Sequence, residues 1–451
     1  MANKNILSSN QQSSDYTKPL RQLFMEMMAL NSVCNEESSE IYFHVFMGAK
    51  MKDIMISDGV SNKDLRINYA HIQTSRTGKG RQNKAMRTIC SNCGVSCVII
   101  TDYSAAGIIG TIDDSAIKFN EKWGLNEVNK QYEKKDKQGN IIATHEWKDP
   151  VVKGDAGNYD ILIFDELKIL LEPKRENEEI MLVLQPGMDC PPYVRKKLRN
   201  KTPIEYSNPF SLIGTTFPFK GVNNIMGTSG FLQRMFVSVR VMSIDDIKEM
   251  RKAQKTLLTP DAKKNFVRKL QIFKKRIAKI NFQPTTLGMT ERAKNRLDQI
   301  SNNFLNQVEN LKGINRDASL SFTNTIEEAA LKIAGQYVIM HGKSKKIDST
   351  DIQRGYNLIK SFMKNLMEKI DIKEDKDTGH EVKQIIRIFN SEVNRKKVKC
   401  LTHTVFREVL NKRLNRGLIA CGNKIKEMTT AGYFIVKKGD KNTNNYFLNT
   451  K

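Results

Sequence analysis

The chain has 451 residues, 39% hydrophobic and 27% charged, with a formal charge of +25. No apolar run reaches the ~18 residues of a membrane span and residues 1–17 lack a signal-type apolar stretch, which reads as a soluble, cytoplasmic protein of two to four domains without a membrane partner. The positive charge is concentrated, with 14 Lys/Arg against 3 Asp/Glu in residues 251–300 and 16 against 5 in residues 380–451, and such clustering favours a polyanion, most commonly nucleic acid.

Residues 1–18 are polar, rich in Ser and Gln, and read as disordered. Residues 19–62 show helical periodicity, as in Leu20, Leu23, Phe24, Met27 and Met28. Five short apolar runs then follow within residues 63–245: Ile67–Ile72, Cys97–Thr101, Ile161–Phe164, Phe210–Gly214 and Met235–Val241. Several are continuous rather than alternating, as strands buried on both faces of a parallel sheet are. The stretch Asn129–Gly157 interrupts them and predicts a hairpin or surface insertion around Gly139-Asn140. Residues 246–373 read as helical throughout, and residues 374–379 read as a linker. In residues 380–451 three helices precede short strands at Tyr433–Lys437 and Asn445–Leu448, the order of a winged helix.

Cys90, Cys93 and Cys97 have no nearby fourth ligand at zinc spacing, so they read as packing cysteines between a helix and a strand. His71, His341 and His403 show no metal spacing and read as incidental.

The segment Ile67 to Gly80 carries the most chemistry. A strand enters the turn Thr74-Ser75-Arg76-Thr77-Gly78-Lys79-Gly80, and a basic helix follows. Successive backbone N–H groups and a helix N-terminus can cradle phosphate there, with Lys79 reaching the β/γ oxygens of ATP. Gln73 stands where the usual G-x-x-x-x-G-K-[ST] pattern has its first glycine. Gly80 stands where it has the hydroxyl that holds Mg²⁺. The run Tyr159 to Phe164 ends in Asp165-Glu166, a pair suited to placing Mg²⁺ and polarising the attacking water. Thr215 and Thr216 end the next run, where a hydroxyl can orient water. Arg234 precedes the fifth, where its planar fork suits a phosphate of a neighbouring subunit.

With these residues in this order, the chain resembles the AAA+ ATPases. Within them it is most similar to minichromosome-maintenance-type helicases and related helicase-like ATPases of viruses and plasmids, some joined to primases. The resemblance covers roughly residues 60–370. It implies an α/β fold: a P-loop NTPase sheet with a helical lid and a C-terminal winged-helix domain. It also implies Lys79 on phosphates, Asp165 on Mg²⁺, Glu166 as base, Thr216 as sensor 1 and Arg234 as a finger in trans within a hexamer-like homo-oligomeric ring. No arginine stands where a sensor 2 would lie in Leu320–Ala334.

DNA is the partner expected of the basic elements, with a primase or other replication proteins as companions implied by the resemblance. Between the acidic and hydroxyl runs lie Tyr193, Arg195, Lys196, Lys197 and Arg199, which suit a backbone-gripping hairpin. The helical stretch Arg268–Lys279 presents a basic face. Residues 402–416, with Arg407, Lys412 and Arg413, read as the recognition region, and Lys437 and Lys438 as wing contacts. The expected function is an ATP-dependent DNA helicase or translocase in replication. Two alternatives stand beside it: an origin-binding or regulatory DNA-binding protein with a degenerate nucleotide site, and a packaging or transposition ATPase.

Overall fold

The computed structural model describes residues 15, 17–32, 36–59, 61–74, 78–121, 124–126, 131–146, 150–172, 174–197, 203–217, 230–240, 242–256, 259–309, 320, 322–342, 345–370, 376–414, 417–430, 433–439 and 443–449. The chain divides into two compact units, residues 1–370 and 371–451.

The first unit opens with helices α1 (Leu20–Ala29) and α2 (Glu36–Lys50), then strands β1 (Ile54–Ser57) and β2 (Asn62–Asp64). Strand β3 (Tyr69–Gln73) is buried at every position and leads to helix α3 (Lys79–Asn92) and strand β4 (Cys97–Ile100). Five short strands follow, β5 (Gly110–Ile112), β6 (Gly124–Asn126), β7 (Gln131–Lys135), β8 (Ile141–Glu146) and β9 (Val151–Lys153), of which only the last three lie within the expected insertion Asn129–Gly157. Strands β7 and β8 form the expected antiparallel hairpin, with Gly139 at φ +89° in its turn. Next come β10 (Ile161–Phe164), α4 (Arg175–Met188), β11 (Val194–Lys196), β12 (Ile204–Tyr206), β13 (Ser211–Thr216) and β14 (Phe236–Arg240).

All five apolar runs become strands of one sheet, in the order β14-β3-β13-β10-β4, with every neighbour parallel. β3, β10 and β13 are buried at every position, and in β10 (Ile161–Phe164) the sequence shows this as an unbroken apolar run. Because the strands are parallel, their carboxyl ends meet at one edge, the edge where open α/β sheets receive ligands.

Residues 244–370 are not helical throughout. Helices α5 (Ile244–Thr256), α6 (Pro260–Ile277), α7 (Glu291–Glu309), α8 (Thr323–His341) and α9 (Ser349–Ile370) are interrupted by β15 (Thr285–Met289) and β16 (Lys346–Ile347). These two strands join β1 and β2 in a second sheet, ordered β16-β15-β1-β2. Residues 19–62 therefore carry strands as well as helices, and they share one compact unit with the expected core and lid. The pairing of β1 with β15 spans more than 220 residues, which no local periodicity reports.

Helix α1 packs Phe24 against Phe43 at 5.5 Å, Phe46 at 6.0 Å and Phe273 at 5.8 Å between ring centroids. Such pairs contribute about 0.5–1.5 kcal/mol each beyond area burial. Ordered contact begins inside the segment read as disordered. Asp15 is buried and pairs with Arg268 at 2.8 Å and Lys269 at 3.0 Å, while Arg276 donates to the Lys18 carbonyl. This corrects the basic-face reading of Arg268–Lys279: three of its cations tie the N-terminal segment down, leaving Lys274, Lys275 and Lys279 exposed.

The second unit consists of α10 (Lys376–Lys396), β17 (Leu401–Thr402), α11 (His403–Leu414), α12 (Leu418–Thr430), β18 (Phe434–Lys438) and β19 (Asn444–Leu448). Its helix begins at Lys376, inside the stretch read as a linker. The antiparallel sheet runs β17-β19-β18. Phe389, Phe406 and Phe434 meet at 5.0–5.1 Å in its core.

Candidate functional site

The turn between β3 and α3 ends at Gly78, whose φ of +89° makes it the left-handed cap of the helix. Glycine reaches that conformation without a Cβ penalty. The first turn of α3 carries no acidic residue, so its N-terminal N–H groups keep their partial positive charge. Ser32 donates to the Gly78 carbonyl at 2.9 Å and steadies the turn from the N-terminal segment. Ser75 and Thr77 lie outside the described residues. The Thr74 hydroxyl accepts from Met242 N at 2.9 Å, so it serves the exit of β14.

Lys79 donates to the carbonyls of Gln73 at 2.7 Å and Thr74 at 3.2 Å. Its ammonium thus lies back over the end of β3. Burial holds its pKa below the ordinary lysine value, opposed by the charges of Glu166 and Asp165. Those two carboxylates follow β10, beside the strand that supplies the hydroxyls. In the sheet, β13 lies between β3 and β10, with Thr216 opposite Ile72 and Gly214 opposite Phe164. That order places Thr215 and Thr216 between the end of β3 and the acid pair.

The acid pair is held by neutral donors. Thr216 donates to Glu166 Oε1 at 2.6 Å, and Thr215 donates to the Asp165 carbonyl at 2.9 Å. Glu166 N donates to Tyr103 Oη at 3.1 Å. Asn83 Nδ2 donates to Asp165 Oδ1 at 2.6 Å, while Asn83 Oδ1 accepts from Tyr42 Oη at 2.7 Å. A Cβ built on Gly80 would sit 3.7 Å from Asp165 Oδ2 and 3.8 Å from Oδ1, so a side chain at this position would meet the carboxylate at ordinary van der Waals distance. Lys79, Gly80, Asp165, Glu166 and Thr216 are therefore brought together. Asn83, Tyr42, Tyr103, Thr215 and Ser32 complete the arrangement, and sequence reading missed all of these roles except the placing of Thr215 at the strand end. Asn83 had no signal, since it sits among Lys79, Arg81, Gln82 and Lys84 in a helix that reads as surface.

Arg234 is at the other edge. It precedes β14, at the amino end of the sheet, and grips Asp189 at 2.7 and 3.2 Å and the Gly230 carbonyl at 2.8 Å. It does not reach Lys79 within one subunit. Around it lies a cavity of about 410 Å³ lined by Arg66, Asp189, Glu328 and Lys332 among others. Buried Arg66 donates to Asp64 at 2.8 Å and to the carbonyls of Gly187, Phe210 and Asp189. Lys332 pairs with Glu328 at 2.6 Å.

The basic residues after β10 form a hairpin, β11 with β12, in which exposed Arg195 pairs across the strands with Glu205 at 2.8 Å. Lys196 is half-buried, Lys197 is exposed, and Arg199 lies outside the described residues. In the second unit Lys412, Arg413, Lys437 and Lys438 are exposed. Arg407 is half-buried, with its Cδ 3.5 Å from where a Gly422 Cβ would sit, so it packs between helices α11 and α12.

Cys90, Cys93 and Cys97 are buried at the α3–β4 junction, as expected of packing residues, and burial pushes the Cys93 thiol up to about 11. Among the described residues no group of three or more His, Cys, Asp or Glu could hold a metal. No described helix is long and apolar enough to cross a membrane. Comparison with protein-family models and with curated proteins finds no match for this chain.

Proposed function

We propose that this protein is an ATP-dependent DNA translocase or helicase of the AAA+ type, acting in replication of a virus or mobile element. The reading is carried by one observation. Lys79 and the Asp165–Glu166 pair share the carboxyl edge of a single parallel sheet, with Gly80 against Asp165. A magnesium ion suits this donor set, because Mg²⁺ is commonly held by one or two carboxylates plus substrate phosphates rather than by an all-protein cage. Asp165 would hold it, and the bound ion would neutralise charge on the β- and γ-phosphates.

The chain's own groups supply the rest. Lys79 exchanges two backbone carbonyls for phosphate oxygens. Glu166, oriented by the Thr216 hydroxyl, accepts a proton from the attacking water. Arg234 would have to leave Asp189 to reach the triphosphate of a neighbouring subunit, as a ring requires of a finger in trans. The β11–β12 hairpin offers Arg195, Lys196 and Lys197 to a DNA backbone. In the second unit, helices α11 and α12 stand as a helix-turn-helix pair, and its second helix is the one that enters a groove. Helix α12 rather than residues 402–416 then takes the recognition role, with Lys412, Arg413, Lys437 and Lys438 on phosphates.

A second reading is favoured by two observations: Gly80 supplies no hydroxyl, and Arg234 is engaged within its own subunit. It is a DNA-binding replication or regulatory protein with a degenerate nucleotide site. ATP hydrolysis with and without single-stranded DNA, in the parent and in Lys79→Ala, separates the two. DNA-stimulated turnover lost in the variant supports the motor. Absent turnover with tight duplex binding through residues 380–451 supports the alternative.

A further inference from the structure

Asp165 is not free to choose its orientation. Its Oδ1 accepts from Asn83 at 2.6 Å, and Asn83 is fully buried. The same amide nitrogen lies 3.2 Å from Thr215 Oγ1, whose proton goes to the Asp165 carbonyl. Behind Asn83, Tyr42 donates to Oδ1 of the amide from helix α2, and Tyr42 is fully buried too. Asn83 and Gly80 are three residues apart on α3, hence on one helical face. Both face the Asp165 carboxylate: the amide takes Oδ1, and a Cβ added at Gly80 would lie 3.7–3.8 Å from both carboxylate oxygens.

An amide locked from both ends and aimed at one carboxylate oxygen fixes the direction of the other. Such outer partners orient metal-binding carboxylates. We propose that Asn83, backed by Tyr42 and Thr215, is the positioning residue of a divalent-cation site in which Asp165 supplies the carboxylate and Gly80 supplies no ligand. The buried amide does the orienting at a site where the hydroxyl of the usual pattern is missing. This inference rests on the nucleotide reading and adds to it how the cation is held.

The test is equilibrium binding of Mn²⁺, read by its paramagnetic signal, to the full chain with a non-hydrolysable ATP analogue. Affinity for the analogue alone in EDTA and the unfolding midpoint are measured alongside. Asn83→Ala is expected to weaken Mn²⁺ by roughly 10–100-fold, with analogue binding in EDTA kept. If Asn83→Ala unfolds, Tyr42→Phe removes only the hydroxyl that holds the amide and is expected to weaken Mn²⁺ in the same direction. Gly80→Ser places an oxygen beside Asp165 at a position with room for its Cβ, and is expected to tighten Mn²⁺. Parent-like Mn²⁺ affinity in Tyr42→Phe and in a folded Asn83→Ala overturns the inference while leaving the nucleotide site standing. So does a Gly80→Ser variant that binds the analogue but not Mn²⁺ more tightly. A parent chain that binds neither analogue nor Mn²⁺ removes the nucleotide reading itself.

Discussion

The two edges of the parallel sheet use the same residue types in opposite ways. At the amino edge Arg66 meets Asp64, Lys332 meets Glu328, and Arg234 meets Asp189. Each charge there is answered by an opposite charge within the fold. At the carboxyl edge Lys79 rests on two carbonyls, and Asp165 and Glu166 are held by an asparagine amide, two threonine hydroxyls and a tyrosine. Neutral hydrogen bonds orient a charge without cancelling it. One edge is therefore neutralised within the fold, while the other keeps charged groups at its surface, as the proposed nucleotide and cation site requires.

The largest expected effect lies at the acid pair. Glu166→Gln is expected to lower ATP turnover by roughly 10²–10⁴-fold while keeping ATP bound and the fold intact, as steady-state hydrolysis and a filter-binding assay would register. Equal turnover in variant and parent would remove the base assignment. At the opposite edge, Arg66→Met removes the guanidinium from Asp64, which keeps the backbone N–H of residue 66 and Lys332, and leaves the carbonyls of Gly187, Phe210 and Asp189 without that donor. It should destabilise the first unit by about 3–5 kcal/mol in urea unfolding. A loss of hydrolysis at unchanged stability would instead make the amino edge catalytic.

A smaller effect sharpens the contrast. Thr216→Val removes one hydrogen bond to a carboxylate, about 1.5–3 kcal/mol. The loss should appear in kcat rather than in the unfolding midpoint. Acid then probes the buried interior between the edges. Burial holds His71 down to about 3 and His44 down to about 4, against 6.5 for an unperturbed histidine. The unfolded chain therefore binds more protons below pH 6.5. The stability contributed by keeping both rings neutral is present above that pH and lost as pH falls towards 4 and then 3. The unfolding midpoint should fall on acidification from pH 7 to 5, less steeply in His71→Asn. The smallest expected effect lies in the second unit: Lys437→Ala with Lys438→Ala should shrink the salt dependence of DNA binding by about one to two ion equivalents. An unchanged slope would move the DNA contact elsewhere.

The core sheet was legible because buried parallel strands such as Ile161–Phe164 are continuous apolar runs, and the residues ending them are the chemical ones. The second sheet was not. Thr285–Met289 is half polar, Lys346–Ile347 is two residues long, and their partner β1 lies in a segment whose neighbours are helical. Lysine and arginine counts misled at Arg268–Lys279, because the acids that neutralise them, Asp15 and Glu26, come from the other end of the unit. Asn83 was invisible for a related reason: its hydrogen-bond partners Tyr42 and Asp165 lie 41 and 82 residues away.

Equilibrium binding of ATP in Mg²⁺ by the parent chain and by Lys79→Ala tests the assignment of the carboxyl edge most directly. Saturable binding by the parent is expected, with a loss of at least about tenfold, or 1.4 kcal/mol, in a variant that unfolds at the parent's midpoint. Equal affinity in both, or no binding by either, would contradict that assignment.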